Sequence, residues 1–187
     1  MVSIIDYGAG NIKSLTNAFH TLGETFSIAK TTEDIKKARK LVLPGVGSFG
    51  FGIARLENLI DDIQDKVIRG TPILGICLGM HLLADGGDED GPCDGMFLLP
   101  GRVVKLPCET LPHVGWNNVS GLEDNFYFQH SYFLDAEFKD EIVGLTQHER
   151  FSFPAVIARD NIMGCQFHPE KSGNAGMTFL RTWLRSE

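Results

Sequence analysis

Ile73-Leu74-Gly75-Ile76-Cys77-Leu78-Gly79-Met80-His81-Leu82-Leu83 joins a short apolar run to a helical one through a G-x-C-x-G pentapeptide. In hydrolases the analogous G-x-S-x-G forms a sharp strand-to-helix elbow, where flanking glycines allow the tight turn and expose the central nucleophile. A cysteine at the start of a helix also gains thiolate character from the helix N-terminus. The competing reading is a buried structural cysteine, since free Cys is among the most buried residue types. Upstream, the same alternation of strand and helix repeats. Val2–Ile5 reads as a strand, and Ile12, Leu15, Ala18, Phe19 and Leu22 then recur at helical spacing until Gly23 closes the helix. Phe26–Ala29 and residues 41–43 read as strands, residues 33–39 as a short charged helix, and residues 53–68 as one longer helix. This βαβαβαβ opening predicts a mainly parallel sheet with helices on both faces, a three-layer α/β/α domain of flavodoxin-like type.

Beyond Leu83 the apolar runs 96–99, 102–106, 126–134, 142–146, 155–158 and 163–167 follow without long helices between them. They predict hairpins or a mixed extension of the sheet, before a last helix over about 174–184. The 187 residues suit one domain, taken as 1–187, that buries a core without disulfide staples. A formal charge of -7 argues against a nucleic-acid partner, because neutralising phosphates takes clustered Lys and Arg. No stretch reaches the ~20 apolar residues of a membrane helix. No signal peptide is apparent, and Cys77, Cys93, Cys108 and Cys165 lack paired spacing. The expected setting is therefore the cytoplasm, with reduced thiols and no membrane partner.

Three further motifs bear on chemistry. In Gln166-Phe167-His168-Pro169-Glu170, proline biases His168 toward an extended conformation, and i, i+2 side chains then share a side. Glu170 can thus fix the His168 tautomer and leave the other ring nitrogen free for a thiol proton. Alone this is a surface His beside a surface Glu; beside the Cys77 elbow it becomes a partner for a nucleophile. Pro44-Gly45-Val46-Gly47-Ser48-Phe49-Gly50 matches the dinucleotide fingerprint G-x-G-x-x-G, but the acidic candidates Asp61 and Asp62 fall inside a helix instead of ending a second strand. A glycine-rich loop with bare N–H groups serves equally as an oxyanion hole. The acidic stretch 85–94 fails the calcium-loop pattern, since Pro92, Cys93 and Leu99 occupy positions five, six and twelve from Asp88; it reads as a solvated loop. Cys93, Cys108 and His113 match no zinc spacing, so no metal is expected.

The elbow with its continuation Met80-His81-Leu82-Leu83, and the later His168-Pro169-Glu170, resemble the Cys-His-Glu triad of class I glutamine amidotransferases. Asp6-Tyr7-Gly8-Ala9-Gly10-Asn11, Leu99-Pro100-Gly101-Arg102-Val103, His113-Val114-Gly115-Trp116-Asn117 and His130-Ser131-Tyr132 narrow the likeness to the glutaminase subunits that serve a separate cyclase barrel. The resemblance implies hydrolysis of L-glutamine to glutamate and ammonia, without a cofactor. Cys77 would be the nucleophile, His168 the acid and base, and Glu170 its orienting carboxylate. Val46, Gly47 and Leu78 would form the oxyanion hole, and His81, Ser131 and Tyr132 would hold the substrate. Asn11, Trp116, Asn117 and Lys171 would face a HisF-type cyclase barrel in a heterodimer. That barrel would use the ammonia to make imidazole glycerol phosphate and aminoimidazole carboxamide ribonucleotide in histidine biosynthesis. His81 stands where the family usually has Gln, Val114 where it has Met, and Gln129 where it has an apolar residue. Other readings of the sequence are a paralogue supplying another synthase, such as one modifying a surface sugar, a silent regulatory subunit, and a nucleotide-binding oxidoreductase. The glycines around Val46 further predict a peptide able to rotate, so that the isolated chain is a poor glutaminase until its partner docks.

Overall fold

Alternate residues of the early strands bury on opposite sides, and this places helices on both faces of one sheet. Val2, Ile4, Val42, Leu74 and Ile76 pack in one apolar cluster with Leu15, Phe19, Leu180 and Trp183. Ile5, Leu41, Leu43 and Ile73 pack in another with Ile35, Leu56, Ile63 and Leu82. A period of two is the strand's own geometry, and a sheet buried on both sides needs apolar residues at nearly every position. The structure is a computed structural model describing residues 1–137 and 139–186.

The first half runs β1 (Val2–Ile5), α1 (Ile12–Thr21), β2 (Phe26–Ala29), α2 (Thr32–Lys37), β3 (Lys40–Leu43), α3 (Phe49–Leu56), α4 (Ile60–Ile68), β4 (Ile73–Ile76) and α5 (Leu78–Leu82). The second runs β5 (Ala84–Gly87), β6 (Cys93–Asp94), β7 (Leu99–Lys105), β8 (His113–Asn118), β9 (Asn125–His130), β10 (Tyr132–Ala136), β11 (Ile142–His148), β12 (Phe151–Arg159), β13 (Ile162–Cys165) and α6 (Gly173–Arg185). The main sheet has the order β11-β12-β13-β4-β3-β1-β2. Its strands from β13 to β2 pair in parallel, and β11 and β12 extend it antiparallel. The expected mainly parallel α/β sheet is therefore present. A second sheet, β10-β7-β5-β6, and the β8-β9 hairpin complete the described residues. No helix among them is long and apolar enough to cross a membrane.

Two expectations change. The helix expected over 53–68 is two helices. A tight turn, with the Leu59 N–H donating to the Leu56 carbonyl at 2.7 Å, breaks it so that Leu56 and Leu59 both reach the core. The stretch 85–94 is not merely a solvated loop: it is β5, a turn and β6, with Gly86 and Gly87 paired to Asp94 and Cys93. Gly87 lies so close to the Phe49 ring that a Cβ would meet it at 2.8 Å, which ties this hairpin to the start of α3. In open parallel sheets, ligands bind beyond the carboxyl ends of the strands. Here the loops after β1, β3, β4 and β13 converge at that edge.

Candidate active site

Cys77 is held in a conformation that L residues rarely adopt. It follows β4 at φ 52°, ψ -113°, and such strain persists only where surrounding structure over-determines it. Its N–H donates to the Cys165 carbonyl at 2.7 Å, and its own carbonyl accepts from Met80 and His81. The flanking glycines are required by packing. A Cβ on Gly79 would collide with the Leu43 carbonyl, and one on Gly75 would meet the Met80 backbone at 2.7 Å. The G-x-C-x-G spacing thus reflects a turn wedged between β3 and α5.

His168 sits beyond β13 in extended conformation, at the head of a 3-10 turn over Pro169–Lys171. Its Nδ1 lies 3.0 Å from Glu170 Oε1, and both side chains are 2% exposed. Glu170 Oε2 has no hydrogen-bond donor among the described residues. Burial alone would keep the imidazole neutral, but the facing Cys77 sulfur and then Glu170 outweigh it, and His168 is pushed up to about 10. The imidazole is thereby oriented, with Nδ1 held by a carboxylate and the other side of the ring turned to the Cys77 sulfur. In the nearby, fully buried Cys165, burial, then Glu170 and Cys77, drive the thiol well above the ordinary range.

A cavity opens over the sulfur, lined by Val46, Gly47, Cys77, Leu78, His81, Glu89, Gln129, His130, Ser131, Tyr132 and His168. All the residues the sequence suggested for the oxyanion hole and the substrate therefore border one cavity with the Cys77–His168 pair. Gly45 anchors the Val46-Gly47 loop, since a Cβ there would meet Leu78 Cβ at 2.6 Å, Gly79 N at 2.7 Å and Tyr7 Oη at 2.8 Å. Tyr7 Oη donates to the Pro44 carbonyl at 2.8 Å. This loop is unsuited to a dinucleotide: the Phe49 N–H at the start of α3 donates to Glu89 Oε2 at 3.0 Å, so a protein carboxylate occupies the helix N-terminus a pyrophosphate would need.

His81 borders the cavity, but its Nε2 is committed to Gln166 Oε1 at 2.8 Å, so only the rest of the ring is free for a substrate. Burial outweighs that hydrogen bond and lowers His81 to about 4, leaving it neutral at pH 7. Sequence reasoning missed Glu89, Gln129 and His130. Glu89 sat inside the stretch read as solvated, and nothing local tied it to α3 some forty residues earlier. Burial raises its carboxyl, against the lowering effect of the Phe49 N–H.

Of the four residues expected at a partner face, Trp116 and Lys171 meet around Tyr127. Trp116 is 59% exposed and packs edge-on against Tyr127 across the β8-β9 pair; Lys171 Nζ lies over that Tyr127 ring. Lys171 also donates to Gln129 Oε1 at 3.2 Å. Asn11 caps α1, its Oδ1 accepting from the Ser14 N–H. Strand alternation puts Asn117 on the face opposite Trp116, where its amide donates to the Gln147 carbonyl at 2.7 Å and meets His113 Nε2 at 3.3 Å. It supports the hairpin from within.

Comparison with known proteins agrees with this geometry. The family described as glutamine amidotransferase class-I matches residues 3–185. The chain is 41% identical over 203 residues to the imidazole glycerol phosphate synthase subunit HisH of Geobacillus thermodenitrificans, covering 98% of this chain and 95% of that one. It is 40% identical over 195 residues to the subunit of the same name from Methanothermobacter thermautotrophicus, covering 98% of each. Among solved structures, a glutamine amidotransferase superposes with a TM-score of 0.78 and PurLQS from Thermotoga maritima with 0.75. Each is 17% identical and covers 98% of this chain and 96% of its own, a likeness of fold. A strained cysteine elbow facing a buried His-Glu pair, on a chain matched almost end to end, belongs to the class I glutamine amidotransferases, in their HisH branch.

Proposed function

We propose that this chain hydrolyses glutamine through Cys77 and passes the ammonia to the cyclase subunit of an imidazole glycerol phosphate synthase, in histidine biosynthesis. Cys77 Sγ attacks the side-chain amide carbon of glutamine, and the carbonyl oxygen becomes an oxyanion. The Leu78 N–H and the Val46-Gly47 peptide receive that charge. The tetrahedral intermediate collapses as the C–N bond breaks, and His168 supplies the proton with which ammonia leaves. Neutral His168 then takes a proton from water, whose oxygen attacks the γ-glutamyl thioester. Glutamate departs and the thiolate–imidazolium pair is restored. Glu170 keeps Nδ1 protonated throughout, so Nε2 carries the exchange.

The cavity's lining favours an amino acid. Glu89 is the one carboxylate among its lining residues and suits an α-ammonium, and Ser131 and Tyr132 also line it. The patch of Trp116, Tyr127 and Lys171 adjoins the cavity through Gln129, which bonds Lys171 and lines the cavity. That patch is the partner face, and it places the acceptor beside the point of ammonia release. The observation that carries the reading is the positive-φ Cys77 opposed to the buried His168–Glu170 pair. The test is Cys77→Ser assayed with the cyclase subunit. Glutamine-dependent synthesis is lost, while added ammonium still supports formation of imidazole glycerol phosphate and aminoimidazole carboxamide ribonucleotide. Near-normal glutamine turnover by the variant overturns the mechanism.

A further inference from the structure

Two buried polar side chains have no task in the steps above. His81 is 2% exposed and Gln166 is fully buried. Their contact at 2.8 Å engages the Oε1 end of the Gln166 carboxamide. The Nε2 end lies 3.8 Å from Cys77 Sγ, within reach of a long sulfur hydrogen bond. The backbone enforces the arrangement. His81 lies one helical turn beyond Cys77, its N–H donating to the Cys77 carbonyl. Gln166 follows Cys165, whose carbonyl accepts the Cys77 N–H, and its own N–H is tied to Ala155 at 2.9 Å. Elbow and carboxamide are thus fixed side by side.

We infer that Gln166 is a further catalytic residue, an N–H donor to the Cys77 thiolate, and that His81 is the positioning residue that decides which end of Gln166 faces the sulfur. The inference deepens the reading of Cys77 as nucleophile and rests on it. A carboxamide has one donating and one accepting end. With a proton on Nε2, His81 donates to Oε1 and turns the NH2 group toward Sγ. With the proton on Nδ1, its bare Nε2 would favour the flipped amide, and Oε1 would then face the sulfur. An oxygen there accepts from a thiol but repels a thiolate. The ionised nucleophile and the Nε2–H tautomer therefore select one another. A neutral ring is needed, and burial supplies it by lowering His81 to about 4. The other groups bearing on the sulfur are His168, backed by Glu170, beyond β13, Cys165 at the end of β13, and Tyr7 after β1. Gln129 offers only its backbone carbonyl, at 3.9 Å, which favours the thiol. Gln166 is thus the neutral N–H donor that offsets it.

The test reads Cys77 directly, independently of glutamine turnover. The full-length chain is alkylated with iodoacetamide across pH 5 to 10, and labelling of the Cys77 peptide is followed by mass spectrometry. A hydrogen bond to a charged group corresponds to about tenfold or more in ionisation. The midpoint of the labelling profile should therefore rise by about one pH unit or more in Gln166→Leu, with the rate at high pH within about threefold of the parent's. His81→Leu should behave likewise, with a smaller shift. His81→Gln should keep the parent's profile, because its Nε2 falls where the imidazole Nε2 lies. An unchanged profile of Gln166→Leu, or a loss equal at every pH, overturns the donor role. If the profile moves in Gln166→Leu and not in His81→Leu, the positioning role falls. The unmodified chain gives a second readout that no folding defect can confuse: long-range 15N–1H spectra should show His81 protonated at Nε2, and a proton on Nδ1 refutes the coupling. Failure here leaves the Cys77→Ser result standing, so the two readings are separable.

Discussion

Acid should unfold this protein over a pH range set by buried histidines. His81 and His130 are both buried, and burial is the largest influence on each. For His81 it outweighs the bond to Gln166 and gives about 4; for His130 it outweighs the bond to the Tyr132 carbonyl and gives about 3. In the unfolded chain each returns to an ordinary value near 6.5. Folded values depressed in this way contribute stability that is complete above pH 6.5 and is lost as pH falls toward 4, because the unfolded state binds the extra protons. Linkage gives a loss of about 2 kcal/mol at pH 6 and about 4 kcal/mol at pH 5 for the pair together. A domain's whole stability is about 5–15 kcal/mol, so the second figure is decisive. His113, lowered to about 4 by burial and then by His148, adds in the same direction. His168 has the opposite sign. Its folded value is raised to about 10, so its contribution is complete below pH 6.5 and is lost as pH rises toward 10, leaving the acid limb unaffected. Urea unfolding at pH 7.5, 6.0 and 5.0 measures the slope, and His81→Gln should remove about half of the loss assigned to the pair. A stability that varies by less than ~1 kcal/mol between pH 7.5 and 5.0 would refute the argument, as would a His81 ring seen by NMR to titrate near 6.5.

The same geometry sets the outcome of three further substitutions. Glu170→Gln keeps the shape of the side chain but removes the charge beside Nδ1, and kcat should fall about 10²- to 10⁴-fold. KM should change little, and a fall of less than about tenfold would show that His168 is oriented by something else. Gly45→Ala should destabilise the fold by about 1–3 kcal/mol in thermal or urea unfolding, because its Cβ meets Leu78, Gly79 and Tyr7 at under 3 Å. Gly47→Ala meets nothing closer than Phe51 at 3.8 Å, but it holds alanine at a φ of +112° that alanine resists, so its effect should include a loss of glutamine turnover with the cyclase subunit present. A Gly45→Ala variant as stable as the parent would contradict a loop anchored at that glycine.

Much of this arrangement is written locally in the chain. Val2–Ile5, Phe26–Ala29 and Ile73–Ile76 are strands with the bounds their apolar runs predict, and the serines inside two of them, Ser3 and Ser27, meet across the β1-β2 pair at 3.0 Å. The elbow and the His168-Pro169-Glu170 step are equally local, one set by steric wedging between glycines and the other by the i, i+2 geometry of an extended segment. What escaped are contacts that the tertiary fold creates. The start of α3 is satisfied by Glu89 in place of a capping side chain at Ser48, so no capping signal marks it. Gln166 sits beside a legible motif, yet its importance depends on α5 and β13 running adjacent. Asn117 is different: alternation along β8 is enough to separate its side chain from that of Trp116.

The β8-β9 hairpin explains how an outer surface can be coupled to a buried sulfur without a long relay. Successive residues of β9 serve different layers. Tyr127 lies outward between Trp116 and Lys171, Phe126 and Phe128 pack into the core against Phe167, and Gln129 lines the cavity. The catalytic turn is fastened to that same strand. The Tyr127 carbonyl accepts the His168 N–H at 2.9 Å, and the Tyr127 N–H donates to Ser172 Oγ, which donates in turn to the His168 carbonyl at 2.7 Å. A partner pressing on Tyr127 and Lys171 thus bears on the backbone that holds His168, one residue pair away from the sulfur's own neighbour Gln129. On the other side of the cavity Gly45 is fixed by α5 and Tyr7, while Gly47 has room around it. In the mechanism we propose, the fixed wall holds Cys77, His168 and the Leu78 N–H, and the Val46-Gly47 peptide is the one donor with room to turn. Docking that leaves the bonded His168 turn in place would then be felt at that peptide. Such a division would let hydrolysis depend on the partner without the triad being taken apart.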